Sequence, residues 1–186
     1  GEFEFEDGPP ALIPVVPVIT AASVVSGTIA GGSLTLNGVG RASTVDFLSG
    51  GTVNLNAGTL SVASSGVSGG SASMSVGNGT TLNFTPLSAG TLNLEKLTLS
   101  NGGTIGMAWG SKIVASGAAT LSGGTFNLSL SGSYVYGETY TLIQGGVGSL
   151  LNAGTYSVFG AGGATYTWNI TSSFVQITID NLQTSF

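Results

Sequence analysis

The segment Gly90-Thr91-Leu92-Asn93-Leu94 is one of six copies of a short motif: a glycine, then Ser or Thr, then apolar residues at alternate positions. The copy at Gly110 departs from it, because its apolar pair shifts to the adjacent residues Ile113 and Val114. The copies begin at Gly32, Gly51, Gly70, Gly90, Gly110 and Gly124, which are spaced 19, 19, 20, 20 and 14 residues apart. A repeat of about 20 residues is typical of β-solenoids, in which each coil pairs its strands with the coils on either side. The repeat predicts an all-β fold with a parallel β-helix-like solenoid body. An antiparallel β-sandwich is the alternative, because it tolerates the same glycine-rich turns and alternation.

Seven strand-length runs are separated by Gly-Gly, Asn-Gly and Ser-Gly pairs, which favour turns. These runs cover residues 33–37, 52–56, 59–63, 80–85, 91–100, 104–109 and 125–131. The expected inward residues are Leu34, Leu36, Val53, Leu55, Leu60, Val62, Leu82, Phe84, Leu92, Leu94, Leu97, Leu99, Phe126, Leu128 and Leu130. Their outward neighbours are Ser, Thr and Asn, whose side chains can hydrogen-bond in ladders along a sheet. No long stretch has 3.6-residue periodicity, so we expect almost no helix.

Composition divides the chain into three zones: an extended arm over 1–25, the repeat body over 26–130 and a β cap over 131–186. Tyr and Trp become frequent in the cap, around strands expected at 138–144, 155–159, 165–170 and 174–180. The last two strands are joined by three residues, which predicts an antiparallel hairpin. We expect this aromatic cap to close an end of the solenoid that would otherwise expose unpaired backbone groups.

The arm begins with Glu2-Phe3-Glu4-Phe5-Glu6, an alternation that places both Phe rings on one face of an extended chain. Pro14 and Pro17 favour an extended run behind it. Either the arm pairs with its own body, or it adds as a strand to a neighbouring subunit. On the second hypothesis the residues that fill the neighbour's grooves are Phe3, Phe5, Leu12, Ile13, Val15, Val16, Val18 and Ile19.

Charge excludes several kinds of partner. Charged residues make up 6% of the chain, against roughly 25% in ordinary globular domains. Eight acidic residues face three basic ones, so neither nucleic acid nor an anionic membrane surface is an expected partner. The apolar run 11–25 is too short to span a bilayer, so we expect no membrane insertion. We expect the mature form of an exported protein, extracellular or on the cell surface.

The chain has no His and no Cys, which removes the commonest general base and the thiolate ligands and nucleophiles. Asp46, Glu95, Glu138 and Asp180 are isolated from one another in sequence. We therefore expect no enzyme, no cofactor and no metal site. Asn-x-Ser/Thr sequons make four residues candidate glycosylation sites, namely Asn78, Asn83, Asn127 and Asn169.

Three segments carry a family resemblance: 123–130 (Gly-Gly-Thr-Phe-Asn-Leu-Ser-Leu), 136–143 (Tyr-Gly-Glu-Thr-Tyr-Thr-Leu-Ile) and 166–170 (Tyr-Thr-Trp-Asn-Ile). Together they resemble the ends of autotransporter-type passengers and of secreted proteins with autotransporter-associated β-strand repeats, over about residues 30 to 180. The resemblance implies a right-handed parallel β-helix displayed outside the cell as a stalk, adhesin or matrix component. The acidic, proline-containing arm departs from that pattern and favours a polymerising subunit.

Two functions follow as hypotheses. The first is a self-assembling structural subunit of a fibre, sheath or matrix, joined to other copies of itself by its arm and by exposed strand edges. The second is a stalk that binds glycans through Trp109, Trp168 and the tyrosines. An ice-binding face is a weaker form of the second hypothesis, because Thr-x-Asn is more frequent than Thr-x-Thr.

Overall fold

In the computed structural model the chain is built from β-strands. The described residues are 12–13, 19–21, 26–29, 33–36, 42–48, 52–55, 59–62, 72–84, 90–130 and 133–182, with side chains described for 72–84, 90–130 and 133–180. The strands are β1 Leu12–Ile13, β2 Ile19–Ala21, β3 Ser26–Ile29, β4 Ser33–Leu36, β5 Ala42–Leu48, β6 Thr52–Leu55, β7 Thr59–Val62, β8 Ala72–Val76, β9 Thr81–Phe84, β10 Thr91–Leu99, β11 Thr104–Ala108, β12 Lys112–Ala115, β13 Ala119–Leu121, β14 Thr125–Ser129, β15 Thr139–Gln144, β16 Thr155–Phe159, β17 Ala164–Ile170 and β18 Phe174–Leu182. These described ranges also include a 3-10 turn at Leu151–Ala153 and no α-helix.

The strands form two sheets, and from β1 to β12 consecutive strands alternate between them. The first sheet has the order β1-β3-β5-β7-β9-β11-β14-β16, and every neighbouring pair in it is parallel. The second sheet has the order β17-β18-β15-β12-β10-β8-β6-β4-β2, with β13 beside β10. It is parallel from β2 to β15 and antiparallel at β15–β18 and β18–β17. The chain is therefore all-β, with one parallel and one mixed sheet.

The copies of the repeated motif fall on successive strands of one sheet. Its first five copies fall on β4, β6, β8, β10 and β12, which are consecutive neighbours in the second sheet. The sixth copy, at Gly124, precedes β14 in the first sheet. A step of 19 or 20 residues thus returns the chain to the same sheet, whereas the shorter step of 14 moves it to the other.

Burial follows the alternation within each strand. The inward residues expected between Leu82 and Leu130 are all buried, and they belong to one hydrophobic cluster that draws on both sheets. On β10 the alternation is interrupted by exposed Glu95 and Lys96, where the register against β8 shifts. Apolar residues are buried again from Leu97 onward, so the buried face of the strand continues past the register shift. Inward residues expected before residue 72 lie where side chains are not described.

Most expected strands are confirmed, with ends that differ by one or two residues. The C-terminal hairpin is confirmed as β17 and β18, joined through 171–173. Seven strands lie outside the expected runs, namely β1 and β2 in the arm and β3, β5, β8, β12 and β13, although β8 and β12 carry copies of the repeated motif. On β12 the buried residues are Ile113 and Ala115, while Val114 is half-buried between them. A lysine and an outward valine hide the alternation of this strand in the sequence.

Part of the N-terminal arm pairs within the chain. Leu12 and Ile13 form β1, whose parallel partners are Thr28 and Ile29 of β3. Ile19 begins β2, which pairs with β4. The other arm residues, Phe3, Phe5, Val15, Val16 and Val18, lie outside the described residues.

Candidate functional site

Two aromatic clusters lie between residues 109 and 168. In the first, Trp109 contacts Tyr140 edge-to-face with ring centroids 4.6 Å apart, and Tyr134 lies 5.9 Å from Trp109. In the second, Trp168 lies 5.6 Å from Tyr156 and 6.3 Å from Tyr166. The aromatics that the sequence marked as glycan contacts therefore divide between two places.

A cleft of about 240 Å³ opens beside the first cluster. It lies at the starts of three neighbouring strands of the second sheet, β10, β12 and β15. Its lining residues are Gly90, Thr91, Trp109, Gly110, Ser111, Lys112, Tyr140, Thr141 and Leu142. The volume is below the roughly 300–1,000 Å³ of pockets for drug-sized ligands, so the cleft suits a single small ring or side chain.

The cleft exists because β15 separates from β12. The ladder between β10 and β12 contains four residue pairs, from Thr91–Lys112 to Leu94–Ala115. The ladder between β12 and β15 contains only Ile113–Ile143 and Val114–Gln144. The register of β15 against β18 shifts between Thr141 and Ile143. This irregularity lets Leu142 and Ile143 both be buried, and it turns the preceding part of β15 away from β12.

Hydrogen bonds already occupy the polar tips of the two cleft aromatics. The Trp109 indole N–H donates to the Ser133 carbonyl at 2.8 Å. The Tyr140 hydroxyl accepts from the Val135 N–H at 2.9 Å. Because the tips are held by the loop that joins β14 to β15, the rings are fixed and present their apolar surfaces.

Ser111 is the unusual residue of the cleft. It is 4% exposed, and its hydroxyl oxygen is buried without a hydrogen-bond partner in the described part of the chain. Lys112 follows it and is exposed. The lining of the cleft thus combines one cation, one unpartnered buried hydroxyl and two aromatic rings, and the described residues that line it include no carboxylate.

Burial also affects two phenols. Desolvation raises the pKa of Tyr156 well above the 10.0 of an exposed phenol, and its hydroxyl donates to the Leu151 carbonyl at 2.5 Å. Desolvation, followed by the neighbouring Tyr134, raises the pKa of Tyr136. Both phenols are therefore neutral hydrogen-bonding groups at ordinary pH.

The first sheet ends at β16, which pairs with β14 on one side and with no described strand on the other. The Thr155 N–H donates to Gly124 and the Phe159 carbonyl accepts from Leu130, both at 2.8 Å. In a parallel ladder, alternate residues bond to opposite neighbours. The backbone groups of Tyr156 and Val158 therefore point to the open side. Phe159, at the end of this strand, is 57% exposed.

Polar rows run across the outward face of the first sheet. Thr81, Thr104, Thr125 and Thr155 are in register on four successive strands. The adjacent row is Asn83, Gly106, Asn127 and Ser157. The Ser157 hydroxyl donates to the Asn127 side-chain oxygen at 2.5 Å. The expected hydrogen-bonded ladder is thus present at this pair.

The four sequon asparagines occupy different settings. Asn78 is exposed in the turn after β8, and Asn83 and Asn127 lie on the outward face of the first sheet. Asn169 is exposed on β17, and its side-chain amide donates to Gln176 at 3.1 Å. Their glycosylation stays a prediction.

The carboxylates of the described residues serve local hydrogen bonds. Glu95 accepts from the Ser73 hydroxyl at 3.5 Å, and Asp180 accepts from the Thr167 hydroxyl at 2.6 Å. Glu138 is exposed. Within the described ranges, no three Asp, Glu, His or Cys residues come close enough to hold a metal ion.

Sequence reasoning missed Ser111 and Lys112 as members of a site. Ser111 resembles the many other hydroxyl residues that follow a glycine in this chain. Its one distinguishing signal is register, because Lys112, and not Ser111, pairs with Thr91 of the preceding copy. This offset of one residue takes Ser111 out of the outward row.

Comparison of the chain with protein-family models, with curated proteins and with solved structures gave no match. Among the residues whose positions are described, no helix has the length and apolar character needed to cross a membrane.

Proposed function

We propose that this chain is a non-enzymatic structural subunit of an extracellular or cell-surface fibre, sheath or matrix, and that copies of it join by strand addition. The proposal includes the finer architecture: the two sheets are opposite walls of a β-solenoid that share one core. Return of the chain to the same sheet every 19 or 20 residues, with parallel neighbours, favours a solenoid over an antiparallel sandwich. The extracellular location draws on the resemblance to secreted repeat proteins.

The observation that carries the proposal is the open side of β16. Four main-chain groups, the N–H and C=O of Tyr156 and of Val158, point away from the sheet there, next to exposed Phe159. Unpaired groups of this kind form a template for an added strand. The outward row beside them is uncharged, so electrostatic repulsion does not oppose the approach of a second copy.

The donor strand in this proposal is the segment 1–11 of a second copy. Leu12–Ile13 and Ile19–Ala21 pair with strands of their own chain, so the proposal assigns the role of donor to the segment before Leu12. Its Phe3 and Phe5 alternate with glutamates, as a strand with one apolar face requires. A contact between opposite ends of two copies is heterologous, and it generates an open filament where the rotation between copies does not close a ring.

Two variants and a matched control test the proposal. Deletion of residues 1–11 removes the donor, and Thr155→Lys places a charge on the acceptor edge, a substitution that natural edge strands use against pairing. Thr104→Lys is the control, because Thr104 lies in the same outward row but on β11, in the interior of the sheet.

Electron microscopy and light scattering of the purified proteins give the readout. We expect filaments from the unmodified chain and from Thr104→Lys, and dispersed folded protein from the deletion and from Thr155→Lys. Filaments of unchanged length from the deletion variant would rule out the arm as the donor. Loss of filaments in Thr104→Lys alone would show that copies join through the sheet face and not through its edge.

A further inference from the structure

The cleft between β12 and β15 has features that the assembly proposal does not use. It lies on the second sheet, whereas the open strand edge belongs to the first. Its chemistry is also unlike that of the outward rows, because it joins two aromatic rings to a buried hydroxyl and an ammonium group. These features point to a ligand.

The hydroxyl of Ser111 indicates that the ligand forms hydrogen bonds. A buried hydroxyl without a partner destabilises the protein that contains it, because the interactions it would make with water are lost. Ser111 lies in the cleft wall and is 4% exposed. With the Ser111 side chain turned toward the cleft, a ligand hydroxyl or ether oxygen there would supply the missing bond.

The rings of Trp109 and Tyr140 indicate that the ligand also has an apolar face. The Trp109 N–H already donates to the backbone of Ser133, so this ring offers only stacking and van der Waals contact. The Tyr140 ring also offers an apolar face, and its hydroxyl, which accepts from the Val135 N–H, keeps its own proton to donate. Small-molecule sites commonly combine such aromatic walls with a few polar groups that fix orientation. A pyranose ring has this pair of properties, with C–H groups on its faces and hydroxyls around its edge.

The charge of the cleft selects among saccharides. Lys112 is one of only three basic residues in the chain, and no carboxylate is among the residues that line the cleft. An ammonium group forms its strongest hydrogen bonds with an anionic oxygen. A sugar that carries a carboxylate therefore fits this site better than a neutral one.

We propose that the cleft binds one uronic acid unit of an acidic polysaccharide. The pyranose ring packs against Trp109 and Tyr140, a ring hydroxyl bonds to Ser111, and the carboxylate bonds to Lys112. The volume of about 240 Å³ admits one unit, and the exposure of Lys112 and Gly110 leaves the cleft open to the rest of the polymer. A structural subunit with this site would attach to an acidic matrix along its length.

Trp109 provides a direct signal for the test. The chain has two tryptophans, so Trp168→Phe leaves Trp109 as the only indole. In this background the protein is titrated with uronic acid tetrasaccharides, namely galacturonate, mannuronate and glucuronate-containing forms, and with their carboxyl-reduced neutral counterparts. We expect a saturable change in Trp109 fluorescence with at least one uronate, and binding at least tenfold weaker for its neutral counterpart. Absence of saturable binding across the panel, or equal binding of neutral and acidic forms, would overturn the proposal.

Two substitutions identify the residues that bind. Lys112→Gln should weaken uronate binding about tenfold and abolish the preference for the acidic form. Lys96→Gln is its control, since Lys96 is also exposed but lies at the bend of β10 and does not line the cleft. Equal losses from the two lysine variants would indicate unspecific attraction and refute the site.

Ser111→Ala separates a binding role from a structural one. Removal of an unpartnered buried hydroxyl should raise the midpoint of thermal unfolding, while loss of its bond to the sugar should weaken binding about fivefold. A structural serine would give the reverse pattern, with a lower midpoint and unchanged binding. That pattern would exclude Ser111 from the site.

Discussion

Replacement of Gly124, which precedes β14, by any residue with a Cβ is predicted to destabilise the fold, because there is no space for that atom. Its φ lies outside the left-handed region, so an L-residue could adopt its backbone conformation. A Cβ at this position, however, would lie closer to two atoms of the Leu99 side chain than the 3.0 Å that real Cβ atoms keep, and 3.0 Å from the Ser100 carbonyl oxygen. That oxygen is itself held by a hydrogen bond from the Gly103 N–H at 2.9 Å.

The cost of Gly124→Ala follows from what can move. Leu99 is fully buried in the core and the Ser100 oxygen is fixed backbone, so the added methyl group must displace packed atoms. Overpacking of this kind costs about 1–3 kcal/mol. The gain from reduced chain entropy in the unfolded state, about 0.4–1 kcal/mol, offsets only part of it. We expect net destabilisation of about 1–2 kcal/mol.

Gly106→Ala is the matched control. A Cβ there would also come too close to a neighbour, but that neighbour is the side-chain oxygen of Asn83, on the outward face of the sheet. A half-buried surface amide can rotate away, so we expect a change within about 0.5 kcal/mol. Leu99→Ala should cost about 2–5 kcal/mol alone, and less than the sum when combined with Gly124→Ala, because the two changes relieve each other.

Urea denaturation followed by tryptophan fluorescence measures these differences. Equal stability of Gly124→Ala and the unmodified chain would refute the argument from space. So would equal destabilisation by Gly106→Ala and Gly124→Ala, because backbone conformation would then explain both. Strict additivity with Leu99→Ala would show that the two residues do not compete for the same volume.

Two further predictions concern the open end of the first sheet. Because burial raises the pKa of Tyr156 in the folded state, the unfolded chain loses this proton first, so the free energy of unfolding should fall as pH rises above about 10. Tyr156→Phe should make that fall with pH shallower. At neutral pH it should lower the free energy of unfolding by about 0.5–1.5 kcal/mol, because the bond to Leu151 is lost. Urea titrations at several alkaline pH values measure this, and an unchanged dependence of the free energy of unfolding on pH would contradict the prediction. Phe159→Ser should leave the unfolding midpoint nearly unchanged, because the ring is 57% exposed. It should raise the protein concentration at which filaments form at least tenfold, as measured by light scattering. An unchanged concentration would exclude Phe159 from the proposed contact between copies.

Much of the fold could be predicted because the alternation of apolar residues is local. Leu92, Leu94, Leu97 and Leu99 identify the buried face of β10 from sequence alone, even across the bend at Glu95. β12 could not be recognised in this way. Its outward positions carry Lys112 and Val114, and Val114 looks as apolar as its buried neighbours. Only the pairing with β10 decides which residues face inward.

The cleft could not be predicted, because it results from a departure between strands that are distant in sequence. It requires β15 to pair with β12 only at Ile143 and Gln144, while β15 pairs with the antiparallel strand β18 from Thr139 to Gln144. The irregularity at Thr141–Ile143 that permits this has no local signature in the sequence. The aromatics could be predicted as candidate glycan contacts, and this stays a prediction, whereas the burial of Ser111 could not be predicted.

The two sheets end differently, and this difference determines how strong a joint between copies can be. The second sheet continues beyond β15 into the antiparallel pair β18 and β17, whereas no described strand follows β16 in the first sheet. A parallel strand can therefore extend the first sheet in its own pattern. The four main-chain groups on its open side would contribute about 2–6 kcal/mol through hydrogen bonds, against an association cost of about 4–15 kcal/mol. Hydrogen bonds alone reach only the lower part of this cost, so burial of Phe159 with Phe3 and Phe5, at about 1.5–3 kcal/mol for each ring, would strengthen the contact between copies.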